Sequence, residues 1–97
     1  MHMRVVHLQM YPDKIEEAAT LFRTSLLPAV RQLHGFQQAY LAVDRVTGKG
    51  VGVTVWDTEA DLEAHGASGF FREQLNPLRP LFVHPPEREF FEIVGHA

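Results

Sequence analysis

The sequence predicts an α+β fold in which a four-stranded antiparallel sheet carries two helices on one face. Three observations lead there. Segments that alternate or concentrate β-branched and aromatic residues recur four times along the chain. Two segments between them repeat apolar residues at spacings of three and four. The order in which they fall is β-α-β-β-α-β, two βαβ halves joined by a hairpin.

The first strand is Arg4 to Tyr11, RVVHLQMY, with Val6, Leu8 and Met10 on one face and Val5, His7, Gln9 and Tyr11 on the other. Asp13 then opens a helix, with Glu16 completing a capping-box-like pair. Ile15, Ala18, Ala19, Phe22, Leu26, Ala29, Val30 and Leu33 form its apolar stripe. Pro28 lacks a backbone donor, so a kink or break is expected near Thr24–Leu27. Gly35 can take the positive φ that stops the helix.

Phe36 to Asp44 reads as the second strand, Arg45 to Gly50 (RVTGKG) as a loop, and Val51 to Trp56 as the third strand. Trp56 lies on the face opposite to Val51, Val53 and Val55. A second helix starts at Thr58, with Asp61 as the acidic partner of its cap, and runs through Leu62 and His65. Gly66 and Gly69 loosen it, and Phe70 to Leu75 resumes as a short helix ended by Pro77 and Pro80. NPLRPLFVHPPE is an irregular connection, and Glu89 to Val94 is the last strand. This is the ferredoxin-like pattern.

The 97 residues fit one domain, spanning 1–97. A chain of that length buries only about 60–65% of its unfolded surface, and self-association is a common remedy. Nothing in the chain covers the far face of the sheet, which implies a homodimer through that open face. Nine basic and twelve acidic residues with no Lys/Arg cluster speak against nucleic acid. No apolar run approaches the ~20 residues of a membrane span, and the start lacks a signal-peptide layout. The absence of cysteine excludes disulfides and a thiol nucleophile, and suits a soluble cytoplasmic protein.

With these elements in place, the chain resembles the antibiotic biosynthesis monooxygenase domain of the dimeric α/β-barrel superfamily. The resemblance rests on the join His34-Gly35-Phe36 and on Trp56, Thr58, Leu62, His65, Ser68 and Phe71, which match the family's strand-Trp, helix-His pattern. It implies a homodimer whose sheets close into a barrel, with a cavity between sheet and helices in each protomer. It also implies oxidation of phenols or quinols by dioxygen with no metal or flavin cofactor, although other members degrade haem. The chain departs from the family in having Phe70 where many members carry a second histidine. It also lacks the haem-site residues. Asn76 is its only asparagine and lies outside the first strand, His65 stands in the place of the helix tryptophan, and Leu75 in that of the histidine.

Cofactorless oxygenation needs an apolar pocket, deprotonation of a phenol and donors that stabilise the anion. His65 is the candidate base or substrate-orienting donor, because it shares a helix face with Leu62. Its bland alternative is an imidazole that caps the helix at Gly66. Trp56 is either an aromatic cavity wall or a packing residue against the first helix. Phe70 and Phe71 are expected to close the pocket; the alternative is that one packs and the other meets the dimer mate. His7, with Gln9 and Tyr11, lines the cavity, faces the dimer mate or lies on the edge. No histidine pair or His/carboxylate cluster has metal-ligand spacing, so no metal is expected. The leading expectation is therefore a cofactor-independent monooxygenase acting on a small phenol or quinol. The alternatives are a non-catalytic ligand-binding homodimer, and an isomerase or lyase on the same scaffold.

Overall fold

A computed structural model describes residues 1–97, and β1 (His2–Gln9) is one of the two inner strands of its sheet. β3 (Lys49–Trp56) pairs antiparallel with one side of β1 and β4 (Glu87–Glu92) with the other. β2 (Phe36–Val43) adds to the far side of β3, giving the sheet order β2-β3-β1-β4. Consecutive strands β2 and β3 form the expected hairpin, and the two helical segments connect the other strands. The architecture is ferredoxin-like.

The first helical segment begins differently from expectation. Pro12–Lys14 forms a 3-10 turn in which the Lys14 N–H donates to the Tyr11 carbonyl at 2.8 Å, so Asp13 lies inside a turn and caps nothing. Proline at the first position favours this entry, since its missing N–H is one that would be unpaired anyway. Glu16, freed from a cap, pairs with Arg45 instead. Then α1 (Ile15–Leu21) passes through a π-helical turn at Phe22–Leu26 into α2 (Leu27–Val30). The Leu27 N–H reaches back to the Phe22 carbonyl, five residues away. Pro28 explains the turn: its ring collides with the carbonyl four residues back, at Thr24, and a widened turn relieves that contact.

Gly35 ends this segment at φ +79°. Its neighbour across space is Asp61, in the first turn of α3 (Glu59–Ala67). The Asp61 N–H donates to Thr58 Oγ1 at 3.1 Å, and the Thr58 hydroxyl donates to Asp61 Oδ2 at 2.8 Å. This is the cap read from the sequence. Ser68 separates α3 from α4 (Gly69–Leu75), and a 3-10 helix follows at Asn76–Leu81.

Strand boundaries shift for reasons of pairing: β1 spans His2–Gln9 rather than Arg4–Tyr11, because His2 and Met3 already pair with β3 and β4 whereas Met10 makes only an isolated bridge to Phe82. β3 starts at Lys49 because Lys49 and Gly50 already pair with Gln9 and Leu8. The turn before it is closed by Asp44 Oδ1, which accepts from the Val46 and Thr47 amides. β4 runs from Glu87 to Glu92, two residues earlier than its apolar run suggests. Its length is set by β1, whose first residue His2 pairs with Glu92, so Val94 falls beyond the ladder.

The core lies on the helical side of the sheet in two clusters. One joins Met10 with Ile15, Ala18, Leu78, Leu81 and Phe82. Three of these come from the segment expected to be only an irregular connection; the Met10–Phe82 bridge draws it under the sheet end. The other cluster joins Trp56 with Val30 and Leu62. Trp56 is fully buried, and truncating a tryptophan of this kind costs about 3–5 kcal/mol.

A Cβ at Gly35 would stand 2.2 Å from Asp61 Oδ2. Gly35→Ala therefore strains the left-handed backbone and displaces the cap of α3, and urea titration is expected to show a loss of about 1–3 kcal/mol. Unchanged stability would contradict this account of the join.

Candidate functional site

Alternation along β1 sends Arg4, Val6, Leu8 and Met10 toward the helices, and cross-strand partners share that face. Thr54 and Gly52 on β3 stand opposite Arg4 and Val6. Above this floor, π-turn residues Phe22 and Leu26 and α4 residues Phe70, Phe71 and Gln74 enclose a cavity between the two core clusters. Its surface is almost entirely apolar apart from Arg4, Thr54, His65 and Gln74. The volume open to the centre of a water-sized sphere is about 70 Å³. At roughly 10–15 Å³ per water, that is room for a ligand of about one ring.

His65 projects from α3 into this space and is only 7% exposed. Its ring lies between Trp56, with centroids 4.8 Å apart and planes tilted 32°, and Phe71, 4.9 Å away and edge-on. Phe70 lies 6.2 Å from it. Arg4 Nη1 donates to His65 Nδ1 at 2.8 Å, and Nη2 donates to the Leu62 carbonyl at 3.0 Å. A guanidinium has no acceptor, so Nδ1 must be the bare nitrogen and the neutral ring carries its hydrogen on Nε2. Burial, then the nearby Arg4 charge, pushes the imidazole down to about 4. At neutral pH His65 is thus an uncharged donor through Nε2–H, with no free lone pair for a substrate proton.

Arg4 was not anticipated from the sequence. It is 1% exposed, and its Nε–H has no acceptor. The Thr54 hydroxyl opposite it is likewise buried and unpartnered. Burial, then the Arg88 charge, lowers the Arg4 guanidinium to about 10. Its Cζ lies 4.4 Å from the centre of the Phe71 ring, and that of Arg88 lies 5.6 Å from it. The only sequence signal was position: an arginine in phase with the inward row Val6, Leu8 and Met10.

Of the residues expected at the site, His65, Phe70 and Phe71 line the cavity. Trp56 stands behind the His65 ring and packs against Val30 and Leu62, outside the cavity lining. His7 lies on the opposite sheet face, exposed and paired with Glu89, and does not reach the cavity. No group of three His, Asp or Glu side chains is arranged as a metal-ligand set.

The sequence model of the antibiotic biosynthesis monooxygenase family matches residues 1–74. The chain belongs to that family. The matched region contains Arg4, Thr54, His65, Phe70, Phe71 and Gln74, whereas Arg88 lies outside it. Among solved structures, a Streptomyces coelicolor monooxygenase in complex with nanaomycin D superimposes with a TM-score of 0.85 at 20% identity, covering 99% of this chain and 89% of that one. A conserved protein from Methanosarcina mazei gives 0.77 at 22% identity, covering 94% and 91%. A Mycobacterium tuberculosis protein gives 0.77 at 14%, covering 99% and 97%. At these identities the likeness is one of fold. Among curated proteins, none matches the chain. No helix is long and apolar enough to cross a membrane.

The His65 imidazole supplies a pH-dependent test of this geometry. Unfolded, it takes up a proton near pH 6.5; folded, only near 4. Between those values the unfolded chain holds more protons, so stability falls as the pH is lowered from 6.5 to 4 and levels off below. His65→Asn retains an acceptor for Arg4 but does not titrate. The wild-type minus variant difference in urea midpoint is expected to shrink across that window, and a constant difference would contradict the buried neutral histidine.

Proposed function

We propose that this family member is a cytoplasmic, homodimeric oxygenase acting on a single-ring phenol or quinol without a cofactor. The observation that carries the reading is His65, kept neutral by burial and by the Arg4 charge, with its Nδ1 accepting from Arg4 and its ring lining an aromatic, apolar cavity. A neutral imidazole so placed orients a ring oxygen. The apolar lining formed by Phe70, Phe71 and their neighbours excludes water and admits dioxygen. The electron-rich phenolate itself supplies the electrons: one oxygen atom enters the ring to give a quinone and the other leaves as water. Trp56 serves by holding the imidazole from behind, and His7, on the far sheet face, is placed toward a dimer mate.

A ligand-binding homodimer without turnover is the second reading. One observation favours it: none of the polar lining side chains offers a free base for a phenolic proton. Oxygen uptake with a panel of single-ring quinols decides between them. Consumption by the wild type, reduced by about tenfold or more in His65→Ala, is expected for an orienting donor. Equal rates in both proteins would remove His65 from the reaction, and no uptake with any quinol would favour the binding reading.

The dimer rests on the outer sheet face, where Tyr40 and Phe91 remain about half exposed beside Met3, Val53 and Val55. Pairing of two such faces would bury them by two-fold symmetry. Light scattering at micromolar concentration is expected to give twice the mass of the 11.0 kDa chain, and a monomer would count against the closed barrel.

A further inference from the structure

Three arginines from three different elements meet on one concave stretch of surface outside the cavity. Arg72 comes from α4, Arg79 from the 3-10 helix at Asn76–Leu81 and Arg88 from β4. All three line a cleft of about 270 Å³ beside the join of α3 and α4, and no Asp or Glu is part of its lining. The ion pairs of the chain involve His7, His34 and Arg45, so none of the three has a carboxylate within 4.0 Å. All three are exposed, and the cleft presents mostly polar surface, so an incoming oxygen can reach their N–H groups. The Arg79 Nε–H donates to Asn76 Oδ1 at 3.2 Å, which steadies the side chain and leaves its terminal nitrogens to face a ligand. Like charges gathered in this way repel one another. Arg88 shares the Phe71 ring with Arg4, their Cζ atoms lying 5.6 and 4.4 Å from its centre. Burial and, after it, the Arg88 charge lower the Arg4 guanidinium to about 10, so the two cations feel each other. An anion in the cleft would relieve that repulsion, and the chain supplies none.

We propose that Arg72, Arg79 and Arg88 form a binding site for a phosphate dianion, either free or as the monoester of a small molecule. Guanidinium forks match the oxygens of a phosphate, and each N–H to oxygen bond there is charge-assisted. Three positive charges with no resident acid can neutralise both charges of a phosphate, whereas a monocarboxylate answers only one. The cleft holds far more than one water-sized group, which leaves space for the organic part of an ester beside its phosphate. A nucleic-acid backbone would need a longer basic track than three residues, in a chain whose net charge is −3. The site is separate from the proposed oxygenase chemistry and stands whatever the cavity binds. Phe71 and Leu75 face both spaces, so they form the wall between them.

The test is titration of the full chain with inorganic phosphate and with phenyl phosphate, followed by calorimetry and by amide shifts in nitrogen-15 spectra. At about pH 8 the phosphate group is a dianion. Both probes are expected to bind there, and phenyl phosphate at least about tenfold more tightly than benzoate, which has a ring and a single charge. The amides of Gly66, Ser68 and Gly69, which line the cleft, are expected to shift. Arg72→Gln and Arg79→Gln remove exposed side chains that do not line the cavity, so the thermal midpoint should hold while phosphate binding weakens about three- to tenfold in each. Arg23→Gln removes an exposed arginine from the π turn, away from the cleft, and is expected to leave binding unchanged. Phenyl phosphate the tighter of the two probes supports the site with an ester as its ligand; the two probes equal supports it with free phosphate. No binding of either at about 10 mM would overturn the site. So would benzoate binding as tightly as phenyl phosphate, or Arg23→Gln weakening phosphate as much as Arg72→Gln and Arg79→Gln do.

Discussion

The hydrogen bond from Arg4 to His65 ties the sheet floor to the second helix, and much of the site's character follows from it. It fixes the imidazole tautomer, holds α3 over β1 through the adjoining contact with the Leu62 carbonyl, and places a positive charge in a largely apolar interior. A charge in such a place is a cost to the empty fold. The aromatic ring of Phe71 against the guanidinium and the two hydrogen bonds offset part of that cost. The unused Nε–H and the buried Thr54 hydroxyl leave the remainder unmet.

The same bond changes what a histidine in this family's helix pattern can do here. An imidazole is usually read as a base because its lone pair is available near neutral pH. Here the lone pair is already engaged by a group that can only donate. Trp56 and Phe71 fix the ring from both sides, so it cannot turn to offer the other nitrogen without disturbing the best-buried residue of the second core cluster. The chemistry left to it is donation through Nε2–H. Rigid placement of a neutral donor is what the proposed orientation of a ring oxygen requires.

Packing around the cavity shows how the irregular parts of the chain contribute. The π turn forced by Pro28 places Phe22 and Leu26 on the cavity wall, and the 3-10 segment after α4 closes its other end with Leu78 and Phe82. The cavity therefore lies between two clusters rather than inside one. Each cluster is anchored by the end of a strand, Met10 beyond β1 and Trp56 at the close of β3. The small volume left between them restricts any occupant to about one ring.

Element order, the hairpin, the Thr58–Asp61 cap, the break before Pro28 and the glycine join at Gly35 were all legible in the sequence. Each depends on residues close together along the chain, through periodicity, capping chemistry or proline's missing donor. The family was legible too, because its strand-Trp, helix-His spacing is local. Strand ends were not, since β4 stops where β1 does, and the core role of Leu78, Leu81 and Phe82 depends on a bridge to Met10. The ionisation and tautomer of His65 and the significance of Arg4 belong to tertiary structure alone. They arise from two residues 61 positions apart, and only folding decides which charge is left without water or a partner.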